Sequence, residues 1–176
     1  DALPIYSVDD FMIIDSYTRR NLELTETIRD KSRRGSLLWV LDKSRTAMGA
    51  RKLRGMMEQP LKDINRINRR LDSVEALTSQ PMLRDEAREY LSSVYDMERL
   101  LSRIANKTAN PRDLLAFKSS LENLPFIRQI LFNFEDDLLK EICRDLDPLE
   151  DICDLVGGGI DDDPPISLHD GGIIKA

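Results

Sequence analysis

The chain has 176 residues, 41% apolar, 33% charged and only 6% aromatic, with a net charge of −6. That length suits one domain, or one and a fraction, with a real core, and this balance of apolar and charged residues excludes a disordered chain. No apolar run approaches the roughly 18 residues of a membrane span, no signal peptide opens the chain, and leucine outweighs the strand-favouring residues, so the composition leans helical.

From Tyr6 to Leu24 the pattern is extended and then short-helical, and Phe11-Met12-Ile13-Ile14 reads as a brief buried strand. Ser36 is placed to cap a short helix over Leu37–Leu41, because Asp42, Ser44 and Thr46 beyond it favour turns and caps. A second helix is expected from Ala47 to Glu58, stopped by Pro60, whose ring disfavours helical geometry at Gln59. Asp63 caps the next helix, whose stripe of Ile64, Ile67, Leu71, Val74 and Leu77 alternates by three and four. Leu83, Ala87, Tyr90 or Leu91, and Val94 mark another helix. Met97, Leu100, Leu101 and Ile104 continue its pattern after a kink at Tyr95-Asp96. Asn110-Pro111-Arg112-Asp113 opens a helix by its cap, its proline at the first position and its acid at the positive end of the dipole. Leu114, Phe117, Leu121 and Leu124 supply that helix's stripe, and Pro125 restarts or bends it. A last helical segment spans Glu135 to Val156, faced by Leu138, Ile142, Leu146 and Leu149 and broken in two at Pro148. Gly157-Gly158-Gly159 ends it and Asp163-Pro164-Pro165 is an extended linker. Ile166–Leu168 and Gly172–Ile174 flank a turn that is either a small hairpin or a loop.

Charge is unevenly spread. Residues 1–15 carry four acids and no base, residues 16–120 carry 22 bases against 14 acids, and residues 121–176 carry 4 against 14. The densest basic stretch, Lys43 to Arg70, sets nine bases against Glu58 and Asp63. It could face phosphate, an acidic neighbouring surface, or simply solvent.

Catalytic constellations are thin. The one histidine, His169, could be paired with Ser167, but nothing supplies a third member or an oxyanion hole. Cys143 and Cys153 lack zinc spacing and read as small apolar residues; in so acidic and Lys/Arg/Glu-rich a chain they point to a reducing cytosol, so a cytoplasmic location is expected. Asp161-Asp162-Asp163 fails the calcium-loop template because Pro164 and Pro165 follow. Neither G-x-x-x-x-G-K-[ST] nor G-x-G-x-x-G occurs, and no aromatic residue lies between Lys43 and Arg70 to stack on bases. No catalytic, cofactor-binding or metal-ligating residue is therefore expected. Because the first residue is Asp1 and not Met, a piece of a longer polypeptide is expected as well.

Several short motifs, in order, resemble one family, the bacterial MutS mismatch-repair proteins. Thr18-Arg19-Arg20-Asn21-Leu22-Glu23-Leu24, Gly35-Ser36-Leu37-Leu38 with Leu41-Asp42, and Thr46-Ala47-Met48-Gly49-Ala50-Arg51-Lys52-Leu53 come first. Pro60-Leu61, Arg70-Leu71 with Val74-Glu75, and Asp96-Met97-Glu98-Arg99-Leu100 with Arg103-Ile104 continue the series. Pro111-Arg112-Asp113-Leu114, Asp163-Pro164-Pro165 and Asp170-Gly171-Gly172-Ile173-Ile174 close it. Ser44 and Met56 stand where that family commonly has Thr and Trp, which touches only local capping and packing.

The resemblance implies an all-α, multi-helical domain with short extended segments near both termini. Residues 1–24 would end a connector and lead into the core, and 25–176 would be the helical core, or lever, truncated before the lever helix and clamp. The parent would be a homodimer that binds mismatched duplex DNA and a MutL-type partner and hydrolyses ATP with Mg. This segment would hold no cofactor and be no enzyme, since the Walker loop and the mismatch-reading Phe-x-Glu are both missing. Its role would be mechanical, with residues such as Leu71 holding the rigid body and Gly49 and the proline breaks setting helix angles. Arg51, Arg54 and Arg66 would be candidates to touch neighbouring domains. The rival readings are a free-standing helical adaptor and a non-specific duplex-DNA-binding module using Lys43–Arg70, the latter opposed by the acids after residue 121.

Overall fold

Local capping chemistry lays out the first elements. The Asp15 carboxylate accepts hydrogen bonds from the Thr18 amide and hydroxyl, both at 2.9 Å, and so opens α1 (Ser16–Asn21). Ser36 starts α2 (Leu37–Leu41) by accepting from the Trp39 amide at 3.2 Å, and Thr46 starts α3 (Ala47–Glu58) by accepting from the Gly49 amide at 3.0 Å. Each oxygen satisfies an amide that the first helical turn leaves without a partner. The boundaries of α2 and α3 are those the sequence predicts. The computed structural model describes residues 10–165 and 171–175, and falls into two compact units, residues 1–72 and 73–176.

In the first unit, Leu24, Ser36, Leu38 and Leu61 are buried. The strand expected at Phe11–Ile14 does not form. Phe11 makes one isolated antiparallel bridge with Leu61, flanked by bonds from the Met12 amide to the Pro60 carbonyl (2.8 Å) and from the Lys62 amide to the Asp10 carbonyl (3.2 Å). Met12 and Ile13 are exposed. A lone bridge next to Pro60, which has no amide to donate, cannot propagate into a ladder.

The dividing line falls inside α4 (Ile64–Ser79), whose first turn is capped by the Asp63 carboxylate accepting from the amides of Asn65 (2.8 Å) and Arg66 (3.2 Å). The expected buried stripe holds in part, with Ile67 half-buried and Leu77 against a core, and is overturned at Ile64 (70% exposed), Leu71 (58%) and Val74 (55%), while the residue α4 buries is Ser73. Ser73 is buried because its hydroxyl donates at 2.6 Å to the Asp136 carboxylate, which also accepts from the Leu139 amide at 2.8 Å.

The second unit is built from helix pairs. After α5 (Pro81–Ser92) the chain breaks at Ser93–Asp96, a full interruption instead of a kink, and Asp96 caps α6 (Met97–Ala105). Then follow α7 (Pro111–Leu121), α8 (Leu124–Phe132), α9 (Asp137–Asp145) and α10 (Glu150–Gly159). Pro111 sits in the first turn of α7 and Pro125 in that of α8, where a missing amide costs nothing. α8 packs on α5 and α9, and α7 packs on α6, α8 and α10. One core gathers Ala87, Ile130, Phe134 and Leu139, with Ala76, Leu77, Leu83 and Tyr90 against it. A second gathers Leu100, Phe117 and Leu121, with Met97, Ile104, Leu124 and Ile152 around them.

Three expectations change here. α9 turns Leu139 and Cys143 inward and leaves Ile142 exposed, one residue away from the predicted face. The break before α10 comes as predicted near Pro148, with Leu149 in the left-handed region at φ 51°. The three glycines do not end the helix; α10 runs through all of them and stops at Ile160. Ile160 bridges Ile174, so the C-terminal segment pairs back on the exit of α10. The alternative pairing with 166–168, together with His169 and Ser167, lies outside the described residues. The fold is all-α: among the described residues there are ten helices and, beyond them, only two isolated bridges.

Candidate functional site

The motif residues singled out in the sequence sit where separate pieces of chain clasp one another. In the first unit, Gly35-Ser36-Leu37-Leu38 docks on Thr18–Leu24. The Leu37 amide donates to the Glu23 carbonyl at 3.0 Å and the Leu38 amide to the Leu24 carbonyl at 2.8 Å. Glu23 takes a left-handed conformation (φ 47°) to present that carbonyl, and its carboxylate accepts from the Ile28 amide at 2.6 Å. Gly35 turns the chain at φ 97°, where a side chain would be strained. Ser36, fully buried, also donates to the Arg33 carbonyl at 2.7 Å. Arg19 ties α1 to its surroundings, donating to the Ile14 carbonyl at 3.3 Å and lying 3.9 Å from Glu58 at the end of α3. The Asp42 carboxyl is held below its ordinary range by the Ser44 amide (3.0 Å) and hydroxyl, and then by Arg33, with which it forms an ion pair.

The second unit repeats the device. Asn110 and Asp113 form a reciprocal capping box at the start of α7, with bonds of 2.8 and 3.1 Å. Asp113 also holds Arg103 of α6 at 2.7 Å. Arg112, next in the same motif, donates to the Pro164 carbonyl at 3.1 Å and lies 3.5 Å from Asp163, so Pro111–Leu114 and Asp163-Pro164-Pro165 are in contact. Pro164 is fully buried, which makes the expected linker a docked segment. Lys175 donates to the Gly157 carbonyl (2.9 Å) and to Asp162 (2.7 Å), and its charge lowers the Asp162 carboxyl pKa. Sequence inspection found each motif and the Asn110 cap but missed the bonds between motifs, since partners from ten to some fifty residues apart leave no local signal.

Chemically the arrangement is quiet. Among the described residues no group of three metal-ligating side chains comes together. The acidic run at 161–163 is engaged by Lys175 and Arg112. Burial raises the Cys153 thiol pKa, and the Cys143 thiol donates to the Arg128 carbonyl at 3.4 Å. A concavity of about 880 Å³ beside α8 and α9 has Pro125, Phe132, Cys143 and Pro148 in its lining. Its Lys140 is paired with Glu135, and the Arg144 guanidinium with Asp145 at 3.3 Å, which leaves no nucleophile–base pair in reach there. Of the basic stretch, Arg54 pairs with Glu58 at 2.9 Å, Arg66 lies 3.8 Å from Asp10, and Arg51 is exposed. No helix among the described residues is long and apolar enough to cross a membrane.

The chain is an all-α body whose motif residues clasp its own segments. The family model for MutS domain III matches residues 17–176, and the chain belongs to that family. It is 52% identical over 170 residues to the DNA mismatch repair protein MutS of Lachnoclostridium phytofermentans, covering 97% of this chain and 18% of that protein. It is 49% identical over 170 residues to MutS of Ruminiclostridium cellulolyticum, covering 97% and 20%. Against MutS of Alkaliphilus oremlandii the identity is 52% over 175 residues, covering 99% and 20%. The chain thus spans about a fifth of the length of the curated relatives it matches.

Proposed function

We propose that this domain is the core, or lever, of a MutS-type mismatch-repair protein, a passive body that couples the DNA-gripping parts of its parent to the ATPase. The parent would bind mismatched duplex DNA as a homodimer, engage a MutL-type partner and hydrolyse ATP with Mg in the cytoplasm, using residues outside this chain. The observation that carries the reading is the pairing of the motifs: Thr18–Leu24 with Gly35–Leu38, and Pro111–Leu114 with Arg103 and Asp163–Pro164. Clasps of this kind fix the angles at which short helices meet. Close-packed interfaces favour discrete arrangements over continuous bending, which suits a part that passes displacement between distant sites. The exposed seam of Ile64, Leu71 and Val74 on α4 gives such a body an apolar face for the rest of the same polypeptide.

The test is simple in outline. The purified chain should neither turn over ATP nor prefer a mispaired duplex to a matched one in a competition titration. Turnover of ATP, or a clear preference for the mispair, would overturn the reading.

A further inference from the structure

Within the first unit, α3 and the first half of α4 enclose a cleft of about 250 Å³. Its rim carries four cations, Arg51 and Lys52 from α3 and Arg66 and Arg70 from α4, while Phe11, Gly55 and Met56 supply an apolar floor. Arg66 is only loosely engaged by Asp10, at 3.8 Å with both side chains more than 40% exposed. Lys52 and Arg70 have no hydrogen-bonding or ion-pair partner among the described residues. Lys52 and Arg70 thus face one opening as uncompensated like charges, and an anion seated between them relieves their repulsion.

The shape and the floor say which anion. A duplex presents phosphates along a convex backbone and keeps its bases stacked inside, so it offers no group to the apolar part of the lining. The edge of the cleft already shows another mode. Residues 10–12 lie antiparallel to 60–62 through the Met12–Pro60 and Lys62–Asp10 bonds, with the Asp10 carboxylate near Arg66 and Phe11 lining the floor. An acid beside an apolar side chain, bonded antiparallel to 60–62, is what this surface accepts.

We propose that the cleft binds an acidic peptide segment, with carboxylates on Lys52 and Arg70 flanking an apolar side chain set over Met56 and Phe11. For the source of that segment the inference rests on the reading above: it comes from the remainder of the same longer polypeptide.

The experiment is a fluorescence-polarisation titration of this chain, at low salt, with labelled Glu-Glu-Leu-Glu-Glu, Lys-Lys-Leu-Lys-Lys and a short DNA duplex. Only the acidic peptide should saturate. Lys52→Ala with Arg70→Ala should weaken it by about tenfold, two partly exposed ion pairs being worth about that much. Lys62→Ala, which removes one charge outside the cleft lining, should alter it by less than about twofold. Gly55→Leu removes no charge, and a Cβ there meets nothing within 4 Å; the added side chain stands in the cleft lining and should weaken binding. In the full-length protein the native segment competes, and the labelled peptide should bind at least about tenfold more weakly than to this chain. Duplex binding in place of peptide binding, no binding at all, wild-type affinity in Gly55→Leu, or equal affinity in the full-length protein would each overturn the proposal. None of these results bears on ATP turnover or mismatch preference, so its failure is distinguishable from failure of the lever reading.

Discussion

Leu71 and Leu121 occupy equivalent-looking places in apolar helical stripes, yet Leu71 is 58% exposed and Leu121 only 1%. Truncating each to alanine separates the two environments. Burying a leucine completely stabilises by about 2 kcal/mol, and the cavity left behind raises the cost of Leu→Ala to about 2–5 kcal/mol. Leu121 lies between Leu100 and Phe117, so Leu121→Ala should sit inside that range. Leu71 has withdrawn less than half of its surface from water and faces no wall that could hold a void, so Leu71→Ala should cost at most about 1 kcal/mol. For a chain of this size about 2–4 °C of melting temperature follows each kcal/mol. Thermal melts followed by circular dichroism should thus fall by roughly 4–20 °C for Leu121→Ala and by no more than about 4 °C for Leu71→Ala. Urea titrations with unchanged slope would assign the loss to stability alone. Equal losses at the two positions would refute the assignment of α4's stripe to the surface.

Other perturbations follow from single observations. Asn110→Ala removes one half of the capping box and should lower stability by about 1 kcal/mol in a urea titration; adding Asp113→Ala should give less than the sum of the single losses, because the two side chains act together. Gly158→Ala, inside α10 with nothing within 4 Å of the new methyl group, should raise the melting temperature, by about 0.5 kcal/mol of stability, whereas a helix ending before residue 157 would leave it unchanged. The carboxyls of Asp15, Asp42 and Asp162 are lowered mainly by Thr18, Ser44 and Lys175 respectively. A carboxyl lowered by folding stabilises fully above its unfolded pKa and loses that contribution as pH falls through its folded pKa. The melting temperature should accordingly drop as pH is taken from about 5 to below the ordinary carboxylate range, and Asp162→Asn should flatten that slope.

What the sequence told and what it withheld divide along a physical line. Ser36, Asp63, Asn110, Pro111 and Pro125 were readable because caps and proline effects act within one helical turn, between residues that are neighbours whatever the tertiary structure does. The buried face was readable for α5, α6 and α7, where Ala87, Leu100, Phe117 and Leu121 are buried as expected, and was not for α4 and α9. α4 buries Ser73 in place of Val74 because a carboxylate sixty-three residues away caps another helix and accepts the Ser73 hydroxyl. α9 is displaced by one residue, to Leu139 and Cys143, because its orientation is set by α8 and not by its own hydrophobic count. The glycines of α10 illustrate the converse, a weak local preference overridden once the chain beyond it pairs back through Ile160 and Ile174. The motifs pointed to a family, while their mutual clasps became visible only in three dimensions.

Coupling is tested most directly by Leu71→Asp in the full-length protein, since Leu71 faces solvent in this domain. The measurement is the rate of ATP-driven release from a mismatched duplex, taken with the mismatch affinity in the absence of ATP and with the melting temperature of the isolated domain. A passive lever that docks through its α4 seam predicts release slowed by about tenfold or more, with affinity and melting temperature near wild type. Release at the wild-type rate would contradict it.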